Sequence, residues 1–152
     1  MSRAFVKESE DVEDLPDRPI SDLPNGVTAE GLRRIEEALA AAQAAQAAAQ
    51  AAGDRDALAT ARRDIRYWSA RRATAAVIPE PSDNSAVRIG HTVTIVREDD
   101  RQQTFRIVGE DEADPAQGTI SHASPLARAL FGKGVGDAVV VAGGEAEIVE
   151  IR

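Results

Sequence analysis

Between Ala38 and Ala52 eleven of fifteen residues are alanine, and the other four are Leu39, Gln43, Gln46 and Gln50. Helix propensity over such a run is near its maximum, so a strand is excluded there. Alanine offers little apolar area to bury, however, and the helix needs a partner that supplies bulk. Leu32, Ile35 and Leu39 recur at three- and four-residue spacing, and the stripe continues through Ala42, Gln46 and Ala49, the seam of a coiled coil. Thr28 is the expected N-cap, with Asn25-Gly26 as a turn just before it. Gly53-Asp54 breaks the pattern, and a second helix is expected from about Arg55 to Ala76, with Leu58, Ala61, Ile65, Trp68 and Ala75 on one stripe. Folding the chain back at that break sets Ile65 against Ala42, Leu58 against Ala49 and Trp68 against Leu39. Large residues then face small ones, as two close-packed antiparallel helices require. Residues 28–78 are thus expected to form a helical hairpin, which at about 1.5 Å per residue projects on the order of 35 Å.

The flanks differ in charge and pattern. Residues 1–27 have a net charge of -4, residues 28–78 of +2 and residues 79–152 of -6. The first block carries Pro16, Pro19, Pro24 and seven acids, with too little apolar surface to offset the entropy of ordering, and is expected to be a disordered acidic arm in which only Phe5 and Val6 could dock. Pro79 and Pro81 make 79–86 a stiff linker. Beyond it, 91–96 and 103–108 alternate as strands do, and 139–141 and 145–151 follow with Gly143-Gly144 as a hairpin turn. Ser124 at N-cap, Pro125 at N1 and Gly132 after the end mark a helix of about two turns between the strand pairs. Residues 87–152 are therefore read as an α+β domain, an antiparallel sheet with one short helix on a face.

Composition excludes several function classes. With 26 acidic residues against 18 Lys and Arg, the net charge of -8 opposes free-standing binding to duplex DNA, whose affinity comes from basic side chains neutralising phosphates. There is no cysteine and only His91 and His122, so no thiol nucleophile, disulfide framework or zinc-ligand spacing is present. The start lacks a signal-peptide apolar core and no stretch approaches the ~20 apolar residues of a membrane span, so a cytoplasmic protein without membrane contacts is expected.

The third block resembles the bacterial Gre transcript-cleavage factors, the GreA/GreB family. The residues that carry the resemblance are Gly90-His-Thr-Val-Thr-Ile95, the run from Phe105 to Asp114, Gly118-Thr-Ile-Ser121, the run from Ser124 to Leu130, Gly132-Lys-Gly-Val-Gly-Asp137 and Glu147-Ile-Val-Glu-Ile151, in family order and spacing over 87–152. The preceding hairpin matches by architecture. The resemblance implies an FKBP-like C-terminal domain that docks at the rim of the RNA polymerase secondary channel, with the coiled coil reaching down the channel. It also implies that acids at the hairpin tip share a magnesium ion of the polymerase active site, so that the polymerase hydrolyses its own backtracked transcript. The factor would then be no enzyme itself, would need no cofactor of its own, would act as a monomer, and would meet RNA only inside the elongation complex, associated with the nucleoid through polymerase. Carboxylates suit that task because magnesium is a hard ion bound by oxygen.

The candidate tip acids are Asp54 and Asp56. The family has a further acid three positions after the Asp of Gly-Asp, where this chain has Ala57, and Asp56 is displaced by about 100° of helix rotation from that place. Asp54 fits equally the N-cap of the second helix, with Asp56 in its first turn. Each arm is also about two turns shorter than in the family, a shortfall on the order of 10 Å. The resemblance places polymerase docking on Ala123, Ser124, Pro125 and Leu126, where Ser124 and Pro125 also read simply as a helix start. Arg62, Arg63 and Arg66, with Arg71 and Arg72, make the second helix basic, either for RNA phosphates and channel walls or as a solvated face covering the alanine seam. The acids from Glu110 to Asp114 read as a solvated turn, Trp68 as an anchor at the hairpin base, and the two histidines as ordinary residues. Two functions stay open: a factor that stimulates cleavage, and a cleavage-deficient channel binder that competes with Gre factors. Prolyl isomerase activity is disfavoured, since only Phe105 and Phe131 are aromatic in the third block.

Overall fold

The computed structural model describes residues 13–152, so the expectations for the start of the arm, Phe5 and Val6 included, lie outside the described residues. Contacts divide the chain into two units. One comprises 35–73 with the segment that ends at Asp22, the other 23–34 with 74–152.

In the first unit the break falls where the sequence puts it. Helix α1 spans Ala29–Ala52 and α2 spans Arg55–Thr74. Gly53 takes a φ of +67°, its N–H donates to the Gln50 carbonyl at 3.2 Å, and the Asp54 N–H donates to the Ala49 carbonyl at 3.0 Å. These two bonds form a Schellman motif, which a residue with a Cβ would reach only with strain. Ile35, Ala42 and Ala49 are buried on α1, and Leu58, Ala59 and Ala61 on α2, so the seam runs along the expected face. Arg71 departs from expectation: it is only 2% exposed and belongs to the interior rather than to a solvated basic face.

The described part of the acidic arm also departs from expectation. Residues 13–22 lie on α2. Arg66 donates from Nε to Asp17 Oδ1 at 2.5 Å and from Nη2 to the Leu15 carbonyl at 2.8 Å. The guanidinium of Arg18 sits 3.8 Å from the Tyr67 ring centroid. What orders this segment is specific pairing with α2, which composition does not record.

The second unit is built on a five-stranded sheet in the order β5-β4-β3-β7-β6. A two-stranded parallel pair accompanies it, β1 (Gly26–Val27) with β2 (Ala76–Val77), so Gly26 is in a strand rather than a turn and α2 stops before Ala76. The main strands are β3 (Thr92–Arg97), β4 (Gln102–Val108), β5 (Thr119–Ser121), β6 (Ala138–Val141) and β7 (Gly144–Ile151). β5 pairs in parallel with β4, which makes the sheet mixed where antiparallel strands alone were expected. Helix α3 (Pro125–Leu130) forms as read from the sequence, with Ser124 Oγ accepting from the Ala127 N–H at 3.2 Å. Its Ala127 and Leu130 close over Val93, Ile95, Ile107 and Ile148 in one apolar core. Between Thr94 and Ile95 the β3–β7 register shifts, leaving Val149 unpaired. That bulge switches the parity of β7, so that Ile148 and Ile151 are both buried.

Residues 79–86 are not a free spacer. Asn84 Oδ1 accepts from His91 Nε2 at 3.1 Å, and His91 Nδ1 accepts the Arg88 N–H at 2.9 Å, which assigns the ring proton to Nε2. His91 is 1% exposed, so the segment is tied to the domain by a buried imidazole rather than flanked by a surface one. The Ser85 N–H bound to Asp83 at 2.8 Å holds that carboxyl below its usual range.

In the acidic run after β4, Glu112 is internal, whereas Asp114 is exposed. Glu112 is 7% exposed; Oε2 accepts the Thr28 and Gly109 N–H groups, both at 3.1 Å, and Oε1 accepts the Thr28 hydroxyl at 2.6 Å. Thr28 Oγ1 in turn accepts the Gly31 N–H at 3.0 Å, as an N-cap does. A carboxylate from the sheet domain therefore completes the capping of α1, and a Cβ on Gly31 would lie 2.0 Å from its Oε2.

Candidate functional site

Two regions carry the residues singled out by sequence, one in each unit. At the hairpin tip Asp54 and Asp56 are both exposed, but Asp54 has a structural task. Its Oδ1 accepts the Ala57 N–H at 3.1 Å and its carbonyl accepts the Leu58 N–H at 3.0 Å. Asp54 is thus the N-cap of α2, and Asp56 lies in the first turn, where a carboxylate also favours the positive end of the helix dipole. Among the described residues no group of three or more His, Asp or Glu side chains is placed to hold a metal ion.

The basic candidates on α2 are not equivalent. Arg66 is engaged by Asp17 and Leu15. Arg63 Nε donates to its neighbour Asp64 at 3.3 Å, and Arg72 pairs with Glu36 across the hairpin at 3.5 Å. Arg62 and Arg63 are half-buried. The structure therefore shows a face whose charges are largely balanced by acids of the same unit, and a phosphate would have to displace Asp17 to reach Arg66.

In the second unit Ala123, Ser124, Pro125 and Leu126 sit together at the start of α3. Pro125 is exposed, Ser124 is the N-cap, Ala123 donates from its N–H to Ser121 Oγ at 3.0 Å, and Leu126 packs against the core. The residues on either side, His122 and Arg128, line an open apolar cleft of about 450 Å³ together with Leu23, Ile78, Ile89 and Phe131. Phe131 is 43% exposed, and the Arg88 guanidinium lies 5.4 Å from its ring centroid. The buried Nε2 of His122 has no hydrogen-bond partner among the described residues. The sequence reading missed this cleft and set His122 aside. A Phe directly after the end of a capped helix was the available signal, but the cleft is assembled from four separate stretches of chain.

Comparison with known proteins bears on the second unit most directly. Residues 82–152 match the family described as transcription elongation factor, GreA/GreB, C-term. The transcription elongation factor GreA of Staphylococcus epidermidis is 45% identical over 84 residues, which cover 51% of this chain and 53% of that protein. GreA of Hyphomonas neptunium is 59% identical over 59 residues, 38% of each chain. The chain thus spans about half the length of the first of these relatives. Among solved structures, GreA factor homolog 1 (Gfh1) of Thermus thermophilus superposes with a TM-score of 0.41 at 21% identity, over 86% of this chain and 99% of that one, a score too low to carry structural weight. The family match over residues 82–152, in contrast, spans the capped helix α3 and strands β3 to β7, and this part of the chain is similar to the GreA/GreB C-terminal family.

Proposed function

We propose that this chain is an RNA polymerase-binding transcription factor that acts through the polymerase secondary channel and occupies it without strongly stimulating transcript cleavage. The observation that carries the reading is the occurrence, in one chain, of a segment matched by the GreA/GreB C-terminal family and an α-helical hairpin with Gly53-Asp54 at its turn. Docking falls to the start of α3 and the adjoining cleft, where the half-exposed Phe131 offers an apolar surface. The protein does no chemistry itself in this reading. Any magnesium belongs to the polymerase, to which Asp54 could add one carboxylate at most.

Weak cleavage follows from the tip. Asp54 is committed to capping α2, and Ala57 stands where a second acid would be needed. The alternative, a factor that stimulates cleavage, is favoured by the exposure of Asp54 and Asp56. Backtracked elongation complexes distinguish the two. Wild-type protein is expected to bind polymerase while cleavage remains at the level of polymerase alone, and Asp54→Ala is expected to change only stability, by about 1 kcal/mol for a lost N-cap. Robust cleavage that disappears in Asp54→Ala would overturn the occupant reading and establish the cleavage factor. Absence of polymerase binding would refute both.

A further inference from the structure

We propose that residues 13–22 form a salt-labile strap that folds back along α2 and masks Arg66 and the Tyr67–Trp68 pair. The strap runs in the same direction as the helix. Glu13, Asp14, Leu15 and Pro16 line a cavity of about 710 Å³ with residues of the first turns of α2, from Arg55 to Thr60, whereas Asp17 and Arg18 engage Asp64, Arg66 and the aromatic pair further along. Its contacts further along centre on Arg66 and the aromatic pair. Arg66 grips Asp17 and the Leu15 carbonyl, while Arg18 lies over Tyr67, 5.4 Å from the Trp68 centroid, with Nη1 3.4 Å from Asp64 Oδ1. Tyr67 and Trp68 themselves meet edge to face at 4.9 Å.

These contacts are charged or cation–π, and little apolar surface supports them. Leu15 is half-buried, Ile20 is 45% exposed, and the cavity beside Glu13–Pro16 shows that the strap does not close tightly over the start of α2. Exposed ion pairs contribute little each and are screened by salt, and exposed cation–π contacts are also weak. A segment held in this way is ordered at low ionic strength and released when screening rises or when a competing anion takes Arg66. The device is an intramolecular competitor for Arg66 on the face of α2.

Trp68 is the sole tryptophan of the chain, so its emission reports the departure of Arg18. In the full-length protein, emission and hydrogen exchange across 13–22 are followed as salt rises from about 0.1 M to about 1 M, over which the Debye length contracts from about 10 Å to about 3 Å. The expected result is a change in emission together with a loss of protection in 13–22 of about tenfold or more, with helical circular dichroism unchanged. Asp17→Lys is expected to show the high-salt spectrum and fast exchange already at low salt, and Asp17→Lys combined with Arg66→Glu to restore protection. Unprotected exchange of 13–22 in the wild type at low salt, emission indifferent to both salt and Asp17→Lys, or helicity lost in step with the emission would overturn the proposal; so would a double variant that restores nothing. A further arm rests on the channel-binding reading: Asp17→Lys is expected to bind polymerase about fivefold more tightly, the scale of losing a modest surface contact. Equal affinity for the two proteins would refute masking, whereas no polymerase binding by either would count against the channel reading and leave the strap to stand on emission and exchange.

Discussion

Glu112→Ala is expected to destabilise the sheet domain by about 3 kcal/mol or more, because three hydrogen bonds to a buried carboxylate are lost and their donors stay buried. The Thr28 and Gly109 N–H groups and the Thr28 hydroxyl all converge on this one side chain. Thr28 and Gly109 are buried, and an unsatisfied buried donor costs more than the net worth of the bond it made. Glu112→Gln refines the test. It keeps the volume and one acceptor oxygen but turns an amide NH2 toward the donors, so a loss smaller than that of the alanine variant, yet above about 1 kcal/mol, is expected. Gly31→Ala should approach the alanine variant by a different route, since its Cβ occupies the place of the Glu112 carboxylate. Denaturant midpoints read these losses. If Glu112→Ala unfolds at the wild-type midpoint, the carboxylate does not hold the start of α1.

The second large effect concerns partner binding. Phe131→Glu is expected to weaken binding to RNA polymerase by about thirtyfold or more, the scale of a hot-spot side chain near 2 kcal/mol, while the fold is preserved. The ring is 43% exposed, so the domain loses little by its removal, but it forms one wall of the apolar cleft beside the α3 start. A carboxylate there would be desolvated by any apolar partner surface. Arg88 lies near the ring and would partly neutralise the charge, which makes Phe131→Ala a useful companion that removes the apolar area alone. Titration of labelled polymerase with each variant gives the affinities, with circular dichroism as the check on folding. Unchanged affinity for both variants would place polymerase contact, if any, elsewhere on the chain.

How much was legible in the sequence depends on the distance over which each signal acts. The Thr28, Asp54 and Ser124 caps, the Gly53 stop and the α3 helix were readable because each involves atoms three or four residues apart. Alternation located four of the strands of the main sheet, but β5 is three residues long and has no period to display. The bulge at Val149 hides the burial pattern of β7, since Ile148 and Ile151 have opposite parity. At the tip the capping reading of Asp54 was available beside the metal reading, and the Ala57 N–H bond shows capping.

The chain alone determined that an alanine-rich helix must fold back on a bulkier one, that the turn lies at Gly53-Asp54, and that a strand-rich domain with a short capped helix follows, because local hydrogen bonds and periodic burial leave few other solutions. Only tertiary structure decided which charges are free. Glu112 looks like a solvated acid in its own run, yet it is buried by Thr28, 84 residues away. Asp17 looks like part of a disordered arm, yet it faces Arg66 across 49 residues. His91 looks like a strand residue at the surface, yet Asn84 and the Arg88 backbone hold it inside. Side-chain pairings of this kind depend on which segments the fold brings together, and neither composition nor periodicity encodes a partner's position.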